Sequence, residues 1–246
     1  MSLNLGPGLG FFRRSGNGGA AAAQAASFTE LFSGSASDPS LDAANWTELT
    51  RLGASTGVNV GGVTAAQTTR VSAGAFGHFA GYVTAQFENG TSEVIKYDCR
   101  TLGGASTTAI DLFVKHTAKT CTKANNEDGI LTFSGYNIQL IDEGNGAVST
   151  VTRFVAGVGS QANITNNTFT ATGLITDGNY DAVEVDVVVN AGVNVTITVK
   201  VNGSTVTTAV DTDAARVTAK GYTGFGVKCA LGAGDNVRID NFQINP

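Results

Sequence analysis

The stretch from residue 193 to residue 210 begins with a run that alternates apolar and polar side chains with a period of two residues. Across 193–201 every odd position is apolar and every even position is polar. On a pleated strand this pattern places all the branched side chains on one face. Asn202-Gly203 then supplies the two residues that a type I′ turn requires at positive φ, and 204–210 returns as the partner strand. The stretch therefore predicts a half-buried antiparallel hairpin.

The composition favours an all-β protein. Charged residues make up 14% of the 246 residues, against about a quarter in typical globular domains. Glu, Lys, Met and Leu, which favour helices, are scarce, so turns and β-branched strands must build the fold. Further short strands are predicted at the spacing of a sandwich or barrel, at residues 28–32, 82–87, 94–97, 109–114, 130–133, 136–141, 151–155 and 183–189.

The end of the chain carries a strand whose apolar phase slips by one residue. Val237 and Ile239 share one phase, and Phe242 and Ile244 follow in the other. A β-bulge at 240–241 would return all four side chains to the same face. Residues 47–80, which are rich in Gly, Ala and Thr, fit either strands of the same sandwich or a protruding loop.

Residues 1–27 show neither the strand nor the helix period and are too Gly- and Ala-rich to form a core. We predict an extended arm, followed by one domain over residues 28–246. Such an arm gains order against neighbouring molecules, and packing on its own domain is the alternative. The apolar stretch of a signal peptide is missing, so we expect the arm in the mature protein. Its expected partner-binding residues are Leu3, Leu5, Leu9, Phe11, Phe12, Arg13 and Arg14.

Charge and hydropathy argue against two classes of partner. The net charge of −5 and pI near 4.9 disfavour nucleic acid, because gripping a phosphate backbone requires a positive surface. No run approaches the roughly 18 apolar residues that a membrane span needs, so no membrane partner is expected. The three cysteines predict reduced, buried thiols, with a Cys99–Cys121 disulfide as the alternative. None stands at the C-x-x-C spacing typical of zinc sites.

Three pieces in order carry a family resemblance. They are Phe-Thr-Glu-Leu-Phe-Ser-Gly at 28–34 with 38–46 behind it, the hairpin at Asn202-Gly203, and Gly-Tyr-Thr-Gly-Phe-Gly-Val at 221–227 followed by Ile-Asp-Asn-Phe at 239–242. Together they resemble the concanavalin A-like lectin/glucanase (laminin-G-like) jelly roll, over residues 28–246. The resemblance implies an antiparallel β-sandwich whose first and last strands lie side by side. It implies little about function, because unrelated activities share this scaffold.

The glucanase branch of that superfamily carries Glu-x-Asp-x-Glu or Glu-x-Asp-x-x-Glu, whose two glutamates act as nucleophile and acid/base. Here the local match is Glu184-Val185-Asp186, and Val188 and Val189 stand where the second glutamate should be. We therefore expect no catalysis and interpret the two carboxylates as solvated groups on an outer strand face. The histidines, His78 and His116, fit no catalytic or metal pattern, so exposed or structural roles are expected.

Calcium is the one cofactor that the resemblance suggests, because lectin-like members often hold Ca²⁺ through Asp and Asn oxygens near loop ends. Asn125-Asn126-Glu127-Asp128 and Gly234-Asp235-Asn236 offer such hard oxygen ligands. The same residue types are ordinary turn formers. We therefore expect no cofactor and keep calcium as the alternative.

Two function classes remain. The first is a non-catalytic structural protein of a bacteriophage particle, either a capsid decoration (cement) protein or a tail or fibre subunit. It would assemble in the host cytoplasm, belong to the virion, and bind other virion proteins or copies of itself through its arm. The alternative is a lectin-like carbohydrate-binding protein that contacts surface glycans. Four tyrosines fall in predicted strands or the crowded 221–227 segment, which leaves Tyr180 as the expected glycan contact.

Overall fold

A computed structural model describes residues 27–32, 44–52, 66–69, 77–87, 92–102, 108–119, 133–142, 147–155, 162–169, 180–190, 192–229 and 236–245. In this part of the chain there are fourteen β-strands and no helix. The strands are β1 (Phe28–Glu30), β2 (Trp46–Leu52), β3 (Ala66–Thr69), β4 (Gly77–Phe87), β5 (Ser92–Leu102), β6 (Thr108–His116), β7 (Gly135–Asp142), β8 (Ala147–Phe154), β9 (Ala162–Phe169), β10 (Asp181–Asn190), β11 (Asn194–Val201), β12 (Ser204–Asp211), β13 (Gly221–Cys229) and β14 (Asn236–Ile244).

The strands form two seven-stranded antiparallel sheets. Sheet I has the order β1-β14-β5-β10-β11-β12, and β3 also pairs with β14. Sheet II has the order β2-β4-β13-β6-β7-β8-β9. The first described strand, β1, pairs with the last, β14, with Phe28 opposite Ile244. The predicted all-β sandwich with neighbouring first and last strands is therefore confirmed.

The hairpin forms as the period-two pattern predicts. Asn202 and Gly203 have φ of 47° and 79°, and β11 pairs with β12 on either side of them. Alternate β11 side chains are buried, from Val195 to Val201. Val193 is the exception to the prediction, because it lies in the turn before β11 and is 63% exposed.

The predicted bulge in the last strand is also present. The register of β14 against β5 shifts between Asp240 and Gln243, and Asn241 takes a φ of 50°. Ile239, Phe242 and Ile244 are all fully buried as a result. One extra residue thus returns the apolar side chains to the core, as expected for a bulge.

Three strands form in segments that lack a clear strand pattern. All of β3, and all of β2 except Trp46, fall within residues 47–80, so part of this region belongs to the sandwich. β9 reads Ala-Asn-Ile-Thr-Asn-Asn-Thr-Phe and forms through its pairing with β8. Conversely, the predicted strand at 130–133 is wrong at Phe133, which lies outside any strand, and 130–132 lie outside the described residues.

The main core fills the space between the sheets. Trp46 of β2 lies at its centre, with ring centroids 5.3 Å from Phe225 and 5.4 Å from Phe242. Tyr97 and Tyr136 are also buried there, so the predicted packing role of these aromatic residues is confirmed. The main core therefore lies between the inner faces of the two sheets, and Tyr82, Phe113, Phe133 and Phe154 form a second buried cluster.

Candidate functional site

The outer face of sheet I carries a patterned set of polar side chains. In β10, Asp181 and the valines at 183, 185, 187 and 189 point inward, so Ala182, Glu184 and Asp186 point outward. Lys96 of β5 stands opposite Glu184 on one side, and Lys200 of β11 stands opposite it on the other. Three neighbouring strands thus form a row of ammonium, carboxylate and ammonium groups.

Ion pairs fix this row. The Lys200 Nζ is 2.6 Å from Glu184 Oε1 and 2.6 Å from Asp186 Oδ2. Lys96 Nζ is 3.0 Å from Glu184 Oε2. Each lysine therefore holds one oxygen of Glu184, so the predicted solvated carboxylates are in fact half-exposed and paired.

The pairing determines the charge state of the row. Hydrogen bonds from Lys200 and then Lys96 lower the pKa of Glu184, because they stabilise its ionised form. Hydrogen bonds to Asp186 and Glu184 raise the pKa of Lys200. Glu184 is therefore ionised at neutral pH and accepts hydrogen bonds without having a proton to donate.

The bulge in β14 supplies one wall beside this row. Asn241 leaves the ladder at the bulge, and its Nδ2 donates to Asp98 Oδ2 over 2.6 Å. Gln243 follows on the same strand, opposite Lys96 in the register, and its side chain is half-buried. The irregularity of the last strand thus brings Asn241 against the carboxylate of Asp98 and sets Gln243 opposite Lys96.

The tight hairpin turn supplies the opposite wall. Asn202 Oδ1 accepts from the backbone N–H of Ala182 at 2.9 Å, and its Nδ2 donates to Asp181 Oδ1 at 2.7 Å. These bonds hold the turn against the start of β10. Gly203 has no side chain and no atom near the position of an added Cβ, so the space above it stays open.

These elements enclose an open cavity of about 570 Å³ on the outer face of sheet I, which we call the cup. Its volume falls within the range of small-molecule sites, about 300–1,000 Å³. The small side chain of Ala182 forms the floor. The cup is lined by Lys96, Asp98, Ala182, Glu184, Lys200, Gly203, Asn241 and Gln243, together with Tyr97 and Val183, whose side chains are buried beneath it.

Tyr180, the expected glycan contact, lies two residues before Ala182. Its side chain is 37% exposed, and the alternation of β10 puts it on the same side as Ala182 and Glu184. Tyr82, Tyr97 and Tyr136 are buried. Among the five tyrosines, Tyr180 is therefore the exposed one, and it lies outside the lining of the cup, two residues before Ala182.

His116 has a structural role, which is one of the two roles expected for the histidines from the sequence. It is fully buried, with Nδ1 2.6 Å from the Tyr82 hydroxyl and Nε2 2.9 Å from the Tyr136 carbonyl. Its ring stacks on Phe133 at 4.7 Å between centroids. Burial lowers the pKa of His116 to about 3, so the ring is neutral and is a packing element. His78 lies in β4.

Cys99 is a buried free thiol, as the sequence predicts, and burial raises its pKa. The predicted calcium ligands at 125–128 and 234–235 lie outside the described residues, and so does Cys121. In the described part of the chain, no three His, Cys, Asp or Glu side chains are grouped so that they could hold a metal ion. Over the same residues, no helix is long and apolar enough to cross a membrane.

The expected partner-binding residues Leu3, Leu5, Leu9, Phe11, Phe12, Arg13 and Arg14 all lie outside the described residues. The extended arm over residues 1–27 and the role in a virus particle therefore stay predictions. Their test is co-sedimentation with capsids or tails before and after deletion of residues 1–27.

Solved structures resemble this chain over most of its length. A protein of unknown function with a galectin-like fold from Bacillus subtilis aligns with a TM-score of 0.61 at 10% identity, covering 88% of this chain and 94% of the other. A legume lectin-like domain from Entamoeba histolytica gives 0.58 at 11% identity, covering 82% and 89%. The fold is the concanavalin A-like jelly roll.

A β-glucanase from Bacillus licheniformis shares this jelly roll, with a TM-score of 0.55 at 9% identity and coverage of 89% and 98%. No protein-family model matches the chain, and no curated protein matches it. At these identities the likeness concerns the jelly roll itself, which accommodates both binding and hydrolysis. Function must therefore be inferred from the residues of the cup.

The sequence pointed to Glu184, Asp186 and Tyr180 but missed Lys96, Asp98 and Gln243. The alternation of apolar and polar residues along β5 is enough to predict that Lys96 and Asp98 point outward. Nothing local shows that β5 lies next to β10, because that pairing joins strands far apart in the chain. The cup is therefore a product of the jelly-roll topology.

Proposed function

We propose that this protein is a non-catalytic carbohydrate-binding protein and that the cup on sheet I is its binding site. The observation that carries the proposal is the fixed row in which Glu184 lies between Lys96 and Lys200 over the open floor at Ala182. Lectin structures among the fold neighbours support the same class of ligand.

The chemistry of the cup suits vicinal hydroxyls. Each hydroxyl of a sugar donates one hydrogen bond and accepts others. An ionised carboxylate accepts only and an ammonium donates only, so the alternation of Lys96, Glu184 and Lys200 matches two adjacent hydroxyls. Hydrogen bonds to charged groups are also stronger than bonds between neutral groups. Tyr180, two residues before Ala182, is exposed, and in this proposal its ring covers an apolar face of the sugar.

The same residues argue against glycoside hydrolysis. Hydrolysis needs a carboxylic acid that is protonated at working pH and a second carboxylate nearby. Glu184 has a lowered pKa because of its lysine partners. At the two positions where the motif requires the second glutamate, Val188 is 37% exposed on the same face and Val189 is buried. The row therefore fits binding better than bond cleavage.

The test is a panel of immobilised neutral, acidic and amino-sugar glycans probed with three forms of the full chain. Ala182→Phe fills the floor without altering a charge, and Thr198→Phe places the same ring on the outer face of β11 outside the lining of the cup. We expect the unmodified chain and Thr198→Phe to bind the same glycans, and Ala182→Phe to lose that binding.

Glu184→Gln and Tyr180→Ala refine the test, since each removes one contact but leaves the floor open. Each should weaken binding about tenfold or more, the effect of losing roughly 1.4 kcal/mol. A panel with no bound glycan, or equal binding by Ala182→Phe and Thr198→Phe, would overturn the proposal.

A further inference from the structure

The lining of the cup extends further across the strands than along them. It uses outward positions of β14, β5, β10 and β11, which are successive neighbours in sheet I. In β5 and β10 it uses two successive outward positions, 96 and 98 in one strand and 182 and 184 in the other. Adjacent strands lie about 4.8 Å apart, so the four strands span roughly 14 Å, whereas two successive outward positions of one strand are about 7 Å apart. The cup is therefore elongated across the strands.

Two rows of residues run along this long direction. In the first row, polar side chains stand opposite one another on successive strands, in the order Gln243, Lys96, Glu184 and Lys200. The second row sets Ala182 opposite Asp98 and ends at the hairpin turn, where Asn202 donates its backbone N–H to the Ala182 carbonyl. This second row is low from Ala182 to Gly203, because their side chains are small or absent. An extended ligand can therefore lie over the low row and meet the polar groups of the first row along its length.

The two ends of the cup differ. At the β14 end, the bulge places the carboxamide of Asn241 against Asp98, with Nδ2 2.6 Å from Oδ2. At the hairpin end, no atom lies within 4 Å of the position that an added Cβ would take on Gly203. One end of a ligand would thus stop at Asn241, and the other would continue outward over Gly203.

The charges that line the cup are balanced, with two lysines and two acidic residues. The ammonium groups of Lys96 and Lys200 lie 3.0 Å and 2.6 Å from oxygens of Glu184, and Asp98 accepts a hydrogen bond from Asn241. A charged ligand would have to break one of these pairs or bring its charge next to a like one, which is costly. Neutral hydroxyls can accept from the ammonium groups and donate to the carboxylates while the pairs stay in place.

We infer, on the basis of the carbohydrate-binding function proposed above, that the cup binds the end of a neutral oligosaccharide that lies across the strands. One pyranose unit lengthens an extended glycan by a distance close to one strand spacing, so the four strands match about three sugar residues. The first of these residues lies beside Asn241 and Gln243, and the second lies over Ala182. The third lies beside Lys200, and the rest of the glycan leaves the cup over Gly203.

The test is calorimetric titration of the full chain with β-1,4-linked oligomers of glucose, mannose and N-acetylglucosamine, each from the monosaccharide to the pentasaccharide. In a series that binds, affinity should rise at least about tenfold from the monosaccharide to the trisaccharide and then stay level. Trisaccharides of galacturonic acid and of glucosamine, which carry charges, should bind at least about tenfold more weakly than the neutral trisaccharide. Equal affinity for the monosaccharide and the trisaccharide would overturn the inference and leave the proposed function standing. So would binding of charged glycans alone, whereas a chain that binds no glycan at all would overturn both.

A variant at the β14 end tests the direction of the ligand. Gln243→Ala removes one hydrogen-bonding group there and leaves the floor at Ala182 open, so it should weaken trisaccharide binding about threefold to tenfold. It should leave binding of a monosaccharide over the floor unchanged. The control Thr198→Ala, on the outer face of β11 outside the lining of the cup, should change neither affinity, and both variants should keep the circular dichroism spectrum of the unmodified chain. Trisaccharide binding that Gln243→Ala does not weaken, or an equal loss for the monosaccharide and the trisaccharide, would contradict a ligand that reaches β14.

Discussion

Arg153 of sheet II and Asp211 of sheet I form a buried ion pair that ties the two sheets together, with Nη1 2.6 Å from Oδ1. The side chains are 10% and 4% exposed. The other oxygen of Asp211 accepts from the Tyr136 hydroxyl at 2.9 Å. That hydroxyl in turn accepts from the backbone N–H of Val217 at 3.0 Å. The pair thus also anchors the segment that leads from β12 to β13.

Removing Asp211 should therefore be costly. Breaking a buried ion pair by deleting one partner typically costs about 3–5 kcal/mol, because the remaining charge stays buried. We expect Asp211→Ala to lower the free energy of unfolding by about that amount in chemical denaturation. The control is Asp213→Ala, which removes a second but half-exposed carboxylate, 3.2 Å from Arg153 Nη2. Equal losses in the two variants would contradict the prediction.

Glu93 predicts a dependence of stability on pH. It is 3% exposed between the sheets and accepts a hydrogen bond from Thr223 Oγ1 at 2.5 Å. Burial raises its pKa to about 7, although the Thr223 bond and the charge of Lys115 lower it in part. The folded-state pKa thus lies above the unfolded one, so this contribution to stability is complete below about pH 4.5 and is lost as pH rises through about 7.

Glu93→Gln should remove this dependence, because the amide resembles the protonated acid. At about pH 5 the variant should match the unmodified chain, and at about pH 8 it should be more stable by up to about 3 kcal/mol. Denaturant titrations at the two pH values measure the difference. The control Glu184→Gln changes a carboxylate at the surface and should leave the change in stability between the two pH values as it is in the unmodified chain. If the free energy of unfolding changes with pH in the same way for Glu93→Gln and the unmodified chain, the Glu93 carboxyl is ionised in the folded protein at both pH values, which would contradict the prediction.

His116 should stay neutral throughout the physiological range. Because burial lowers its pKa to about 3, its NMR resonances should not titrate between about pH 5 and pH 8. His116→Ala should cost about 3 kcal/mol or more, since it removes a buried hydrogen bond to Tyr82 and opens a cavity. Titration of the ring near its ordinary pKa of about 6.5 would contradict the packing role.

The local features of the fold were predictable from the sequence. The Asn202-Gly203 turn and the bulge at Asn241 follow from residue types and from the phase of neighbouring apolar residues. Both involve only adjacent residues, so the sequence carries the full signal. β2, β3 and β9 were harder, because Thr-, Gly- and Asn-rich segments lack alternation and become strands through pairing with a neighbour.

The cup was predictable only in part. Outward positions of Glu184 and Asp186 follow from the period of β10, and the missing second glutamate is visible at Val188 and Val189. Lys96 was not predictable beside Glu184, because it belongs to a strand far away in the chain, whereas Lys200 lies opposite Glu184 on the next strand along the chain.

By itself the sequence determined that this protein is an all-β sandwich with a tight hairpin, a bulged last strand and an incomplete glucanase motif. Only the tertiary structure decided that Glu184 lies between Lys96 and Lys200 and that Arg153 reaches Asp211 across the core. Alternation and turn preference are properties of a few neighbouring residues. Strand order and register depend on the packing of the whole core, so contacts between distant strands appear only in the folded chain.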